Sequence, residues 1–396
     1  MSESFIHACA EGNRRIAQLL LAQDSDINPS YSDEQGRTAL HYAAAKGFLD
    51  IVTALIEKGA SIDYEDHQGQ TPLLLAVAAK QKQTAQYLLE AGARPDINDN
   101  QGNSLLHLVA STGQHYLLPA LIDAGLDINL ANQAENTPLL LAVSNRKRDI
   151  ADTLLNHGAD MEQTDDDGNS ALLLATAQVN RPLITLLLEH GADINAANDD
   201  GYTPLFTACI KRNNMLVKYL LEQGADPLLE SNDGLSPVWL ACANNQKDVV
   251  TAFIDNGVDV NYSKSTGSQF ALQTYLERLV DLASLRRDHG DTSYANLSCD
   301  GETLLHVATK QGHLSMVKLL LDLGAEINAV DAAGNSALHY AAVVGKNDIV
   351  QELLRRNADS GLYNKAEQQA IDYSNRKGFN EITEMLLAQK QEHAHG

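Results

Sequence analysis

Basic residues are scarce in this chain. Lys and Arg number 29 against 52 Asp and Glu in 396 residues, a formal charge of -23, and such an excess repels a phosphate backbone or an anionic membrane surface. Nucleic acid is therefore not an expected partner. Long apolar runs are missing too: the longest, near Leu73 to Ala79, falls far short of a membrane span. The opening MSESFIHACAEGNRR has no basic start followed by an apolar core, so the expectation is a soluble, cytoplasmic protein that is not conventionally secreted. Cysteines are only four. Cys299 has no partner at metal-ligand spacing, and no Ser or Cys sits in a strained turn with a His and an acid to serve it. A phosphate-cradling Gly-x4-Gly-Lys loop is also absent. Neither a cofactor, a metal nor a catalytic centre is expected.

What the chain does have is a ruler. Glycine recurs at Gly36, Gly69, Gly102, Gly168, Gly201, Gly234 and Gly267, every 33 residues with Glu135 in the one gap, and the ruler resumes one residue late at Gly301 and Gly334 before falling on Glu367. A fixed period of this length marks stacked supersecondary units. Two residues after most marks comes Thr or Ser, then often Pro, as in Thr71-Pro72, Thr137-Pro138, Thr203-Pro204 and Ser236-Pro237. These read as an N-cap followed by a first helical residue. Gly59, Gly92, Gly125 and their successors, 23 residues past each mark, read as helix stops, with Asn357 the single replacement. A third glycine between them, such as Gly47 or Gly113, splits each unit into helix, turn and helix. The polar stretch up to the next mark suits an exposed hairpin.

Segments such as GRTALHYAAAKGFLDIVTALIEKGASI and GETLLHVATKQGHLSMVKLLLDLGAEIN resemble ankyrin repeats, and the likeness covers nearly the whole chain. It implies an all-α solenoid of stacked helix pairs with protruding hairpins, about twelve units counting degenerate caps, whose fingers and first helices line a concave surface. The expected organisation is an N-terminal stack over 1–264, a degenerate or irregular repeat at 265–300, and C-terminal repeats with a cap and a short disordered tail over 301–396. The resemblance also assigns His41, His107, His306 and His339 to a structural link between units. Cys9, Cys209 and Cys242 take the small core position filled elsewhere by Ala44 or Ala110.

Departures from the repeat are where specificity can reside. The box histidine becomes Leu74, Leu140, Leu173, Phe206 and Trp239, and the inter-helix glycine becomes Lys80, Arg146, Val179, Arg212 and Asn245. Phe206 with Ile210, and Trp239 with Ala243, are four apart and share a helix face. With Tyr202 beside them they form either an apolar binding floor or filling between adjacent units. Asp166, Asp167, Asp199, Asp200 and Asp233 occupy finger tips, either as an acidic fringe for a partner or as a solvated edge. Arg146, Lys147, Arg148, Arg181, Lys211, Arg212 and Lys247 fall at the opposite turns. The segment 265–300 is a distorted repeat that still stacks, or else a looser helical element between two stacks; the first is the working expectation.

The functional expectation is a monomeric, non-catalytic scaffold or adaptor binding a protein or peptide with basic and apolar residues, with no nucleic acid and no membrane insertion. Alternatives are a bacterial effector acting on a host protein, a substrate of an asparaginyl hydroxylase at Asn129, Asn195 and Asn328, and an enzyme with a site near the irregular repeat at Cys299, Asp300 and His306.

Overall fold

A computed structural model describes residues 2–23, 27–263 and 301–395. The described residues are helical, with no strand among them beyond isolated bridges at finger bases. They divide into an N-terminal body, Met1–Asp193, and a C-terminal body, Ile194–Gly396.

In the N-terminal body, inner and outer helices alternate. The inner ones are α1 (Ser2–Ala10), α3 (Ala39–Lys46), α5 (Pro72–Ala78), α7 (Leu105–Thr112), α9 (Pro138–Ser144) and α11 (Ala171–Ala177). Their outer partners are α2 (Arg14–Gln23), α4 (Leu49–Glu57), α6 (Lys82–Glu90), α8 (Leu118–Asp123, after a 3-10 turn), α10 (Arg148–Asn156) and α12 (Arg181–Glu189). In the C-terminal body the inner helices are α13 (Pro204–Ile210), α15 (Pro237–Ala243), α17 (Leu304–Lys310), α19 (Ala337–Val344) and α21 (Ala370–Lys377). The outer ones are α14 (Asn214–Glu222), α16 (Lys247–Asp255), α18 (Leu314–Asp322), α20 (Asn347–Arg355) and α22 (Asn380–His395).

Local chemistry explains each helix start. Thr71, Thr137, Ser170, Thr203 and Ser236 are extended, and each side chain accepts the N–H of the third helical residue. Where histidine occupies that third position the cap closes both ways: His41 Nδ1 accepts the Thr38 N–H at 3.0 Å, and the same arrangement recurs at His107, His306 and His339. The turn between helices needs a left-handed residue whether or not glycine is there. Lys80, Arg146, Val179, Arg212 and Asn245 all hold φ between 53° and 58°, at a cost of about 1 kcal/mol for each residue with a Cβ.

One expectation is corrected here. The tail from Ala388 continues as helix to His395 in α22; Ile382 and Leu386 are buried and nucleate it, and Ala, Gln, Lys and Glu then extend it readily. The unit expected at 265–300 lies outside the described residues, and the repeats on either side of it meet. Helix α15 packs on α17, Cys242 Sγ–H donates to Leu304 O at 3.3 Å, and His313 Nε2 lies 2.9 Å from Ala243 O. Glu326 N–H donates to Asn261 Oδ1 at a separation of 65 residues, where the same bond from Asp226 to Asn195 spans 31. The repeat marked at Gly234 therefore contacts the one marked at Gly301 directly.

Ser263 bridges Thr303 just as Val330 bridges Ser336 across a five-residue finger. Deleting residues 264–297 leaves five residues, Ser298 to Glu302, between Ser263 and Thr303, the same number as between Val330 and Ser336. Closing a loop of five residues in place of 39 spares about three doublings of loop length, roughly 2 kcal/mol. The expected result is an equal or higher thermal midpoint with unchanged helicity per folded repeat; a lower midpoint, read by circular dichroism, would show that the segment contributes to the stack.

Candidate interaction surface

Fingers are held in a fixed row before any partner arrives. In the N-terminal body His67 N–H donates to Gln35 O at 3.0 Å, Asn100 to Gln68 at 2.8 Å and Gln133 to Gln101 at 2.9 Å. In the C-terminal body Asn232 donates to Asp200 O and Lys365 to Ala333 O, each at 2.9 Å. Within a finger, an Asp or Asn side chain folds the tip: Asp165 Oδ1 accepts from Asp167 and Asn169, and Asn198 Oδ1 from Asp200 and Tyr202. Such preorganised tips lose little freedom on binding.

The box histidines join neighbouring repeats. Nε2 of His41 lies 3.1 Å from Gln70 O, of His107 3.0 Å from Asn136 O, of His306 3.0 Å from Asn335 O and of His339 3.2 Å from Gln368 O. With Nδ1 accepting and Nε2 donating, each ring is neutral. Burial pushes all four below the usual imidazole value, and His306 down to about 4. Outside the boxes, His157 Nδ1 lies 2.7 Å from Thr153 O, and His190 is 3.5 Å from Asp152. Cys9, Cys209 and Cys242 are buried thiols, and burial raises Cys9 to about 12; Cys299 lies outside the described residues. No group of three His, Cys, Asp or Glu among the described residues could hold a metal ion. No described helix is long and apolar enough to cross a membrane.

The structure separates the residues expected at the partner site. In the N-terminal body Asp166 and Asp167 are exposed at a finger tip. In the C-terminal body Asp199 and Asp200 are exposed, and Asp233, Tyr202 and Ile210 are half-buried. Phe206 and Trp239, in contrast, are 0% and 1% exposed, and Ala243 is buried with them. The apolar floor is corrected accordingly: these rings fill space between repeats, as do Leu74, Leu140 and Leu173. The half-buried Tyr202 ring stacks on Phe206 at 4.8 Å and 22°. Asn129, Asn195 and Asn328 are engaged as well, each Oδ1 accepting the N–H of Asp160, Asp226 and Asp359 in the following repeat.

Other apolar residues stand out in the fingers: Tyr31 and Tyr64 in the N-terminal body, and Leu228, Leu229, Val330 and Tyr363 in the C-terminal one. Tyr363 is 66% exposed. The ruler carried a signal for them, since Tyr31 and Tyr64, like Leu229 and Tyr262, are one period apart. That position precedes the finger tip, where a side chain has solvent on one side and the next finger on the other.

Comparison with known proteins agrees with this geometry. A family profile for ankyrin repeats (3 copies) matches in overlapping windows at residues 5–101, 81–165, 106–198, 154–231, 172–264, 228–331 and 269–364. Among solved structures, the human ASB11 ankyrin repeat domain is similar at 25% identity and a TM-score of 0.50, covering 56% of this chain and 98% of its own. No curated protein matches the sequence.

Proposed function

This chain belongs to the ankyrin-repeat family, a class of protein-binding modules, and on that premise we propose that it is a non-catalytic scaffold or adaptor whose fingers hold a protein segment carrying basic and apolar residues. The observation that carries the reading is in the C-terminal body. Exposed Asp199 and Asp200 share a finger with half-buried Tyr202, and the Asp200 carbonyl accepts from Asn232 in the next segment of the row, which also carries the exposed Leu228 and Leu229. Acidic tips attract and orient a cationic partner, while the adjacent aromatic and aliphatic surface provides the burial that holds it. A cytoplasmic, monomeric protein is part of the same proposal.

The test is affinity capture with Asp199→Lys, Asp200→Lys and Asp233→Lys against wild type. These tips are outside the core, so helicity and thermal midpoint should be unchanged. Proteins retained by wild type and lost by the variant support the finger surface. An identical set would move recognition elsewhere on the molecule.

A further inference from the structure

We propose that the inter-helix turn edge of the N-terminal body is a second docking surface, for an acidic peptide segment bound in an extended conformation with three residues per turn. It goes beyond the finger surface, with the opposite sign of charge and the opposite edge of the repeats. Residues 1–193 contain twelve Lys and Arg against 26 Asp and Glu. Nine of the twelve cations lie at or within two residues of a turn between paired helices, but only Glu11, Asp50 and Asp149 of the acids do. Asp50 is neutralised by Arg14 at 2.8 Å.

The turns touch one another, so the cations form a line. Lys46 runs over Gly12, with Cε 3.9 Å from where a Cβ would stand, and Gln81 covers Gly47. The Lys82 ammonium lies 4.7 Å from the centre of the Tyr116 ring. Lys147 runs over Gly113, with Cε 3.1 Å from a Cβ position, and Arg146 Nε–H donates to Gln178 at 3.1 Å. Lys82, Arg148 and Arg181 are moreover the first residues of α6, α10 and α12, where the helix dipole favours anions and disfavours cations. Lys80 and Arg146 hold positive charge at left-handed positions that glycine would occupy without strain. The helix dipole opposes cations at this edge and the left-handed turns oppose any side chain there, and departures of that kind concentrate at functional sites.

The line selects its ligand. Neighbouring helices pack about 8–10 Å apart, so the cations repeat at that interval. A polyproline II segment advances about 3.1 Å per residue with three residues per turn, so acidic side chains at every third position fall on one face about 9 Å apart. A membrane plane or a nucleic-acid duplex is much wider than the strip and would bring phosphates against the acidic faces beside it.

The experiment is fluorescence anisotropy of the full chain with a labelled peptide of four Glu-Pro-Pro repeats. Binding is expected at low ionic strength, weakening severalfold with added salt as the charges are screened. Lys147→Glu with Arg148→Glu should weaken it at least about tenfold, whereas Lys58→Glu with Arg94→Glu, the same change in net charge away from the edge, should leave it intact. The edge substitutions put anions at the start of α10, which favours the helix, so a loss of binding is not a loss of folding. Four outcomes overturn the proposal: no binding, equal loss in both variants, equal affinity for a peptide of the same composition with its glutamates consecutive, or capture only by anionic vesicles. Concentration-dependent self-association without peptide binding also overturns it, since the occupant would then be the acidic fingers of a second copy.

Discussion

Trp239→Ala is expected to destabilise the C-terminal body by about 3–5 kcal/mol, the usual loss when a large buried aromatic is truncated and its cavity cannot collapse. Trp239 is 1% exposed on α15, which packs against α13 on one side and α17 on the other. It replaces the box histidine, and Ser236 still caps the helix by accepting the Trp239 N–H at 3.4 Å. The indole gives volume in place of the histidine's bond to the next repeat: its Nε1–H finds no hydrogen-bond partner among the described residues. Trp239→Phe should therefore cost only about 1 kcal/mol, because it keeps most of the volume and removes a donor that made no bond. Urea unfolding with hydrogen exchange over 204–255 reads both. A Trp239→Ala variant as stable as wild type would mean that the ring is not a packing element and would reopen it as a binding residue.

Lys310→Met is expected to cost about 3–5 kcal/mol near pH 7, because it strands a buried carboxylate. Glu302 is fully buried and pairs with Lys310, whose ammonium also lies 4.5 Å from the centre of the Tyr340 ring. The Tyr340 hydroxyl contacts Glu302 at 2.9 Å and also Asp331, yet a phenol has one proton to give. In the N-terminal body the equivalent of Glu302 is Arg37, which meets Asp66 at 2.8 Å as an ordinary ion pair. Here two carboxylates face each other instead, and Lys310 is the cation that makes the arrangement tolerable.

Burial pushes the Glu302 carboxyl above its ordinary value of 4.5, with Lys310 acting in the opposite direction. A carboxyl raised by folding contributes stability that is complete below its unfolded value and is lost as pH rises through its folded one. Without Lys310 it rises further, so the penalty of Lys310→Met should be largest at pH 7 and shrink as pH falls toward 4.5. Adding Glu302→Gln should recover most of it. A penalty independent of pH, or no recovery in the double variant, would show that the ion pair is not what holds α17 to α19.

Much of this molecule was legible before any coordinates. The period of 33 residues placed the helix pairs, because stacking identical units requires the same local events at the same offsets: a Thr or Ser that caps, a left-handed residue that turns, an alanine or cysteine small enough for close helices. Those events depend on a few neighbouring residues, and Cys9, Cys209, Cys242 and the four box histidines lie where the repeat put them. The exposed acidic tips at Asp166, Asp167, Asp199 and Asp200 were legible for the same reason, although Asp233 at the corresponding place is half-buried.

Burial at Phe206 and Trp239 was not legible, because an inner-helix side chain faces either solvent or the adjacent repeat according to the volume left by residues one period away. Helix beyond Ala388 was missed because docking of Ile382 and Leu386, rather than periodicity in the tail itself, nucleates it. The same limit hid the direct contact between the repeats marked at Gly234 and Gly301, whose touching residues are 62 to 70 positions apart. The sequence by itself determined the fold class and the chemistry of each turn, which are set by local conformational preference. Tertiary structure alone decided which repeats touch and which apolar side chains remain outside, because pairing across long loops and the filling of space between units are set by contacts far apart in the chain.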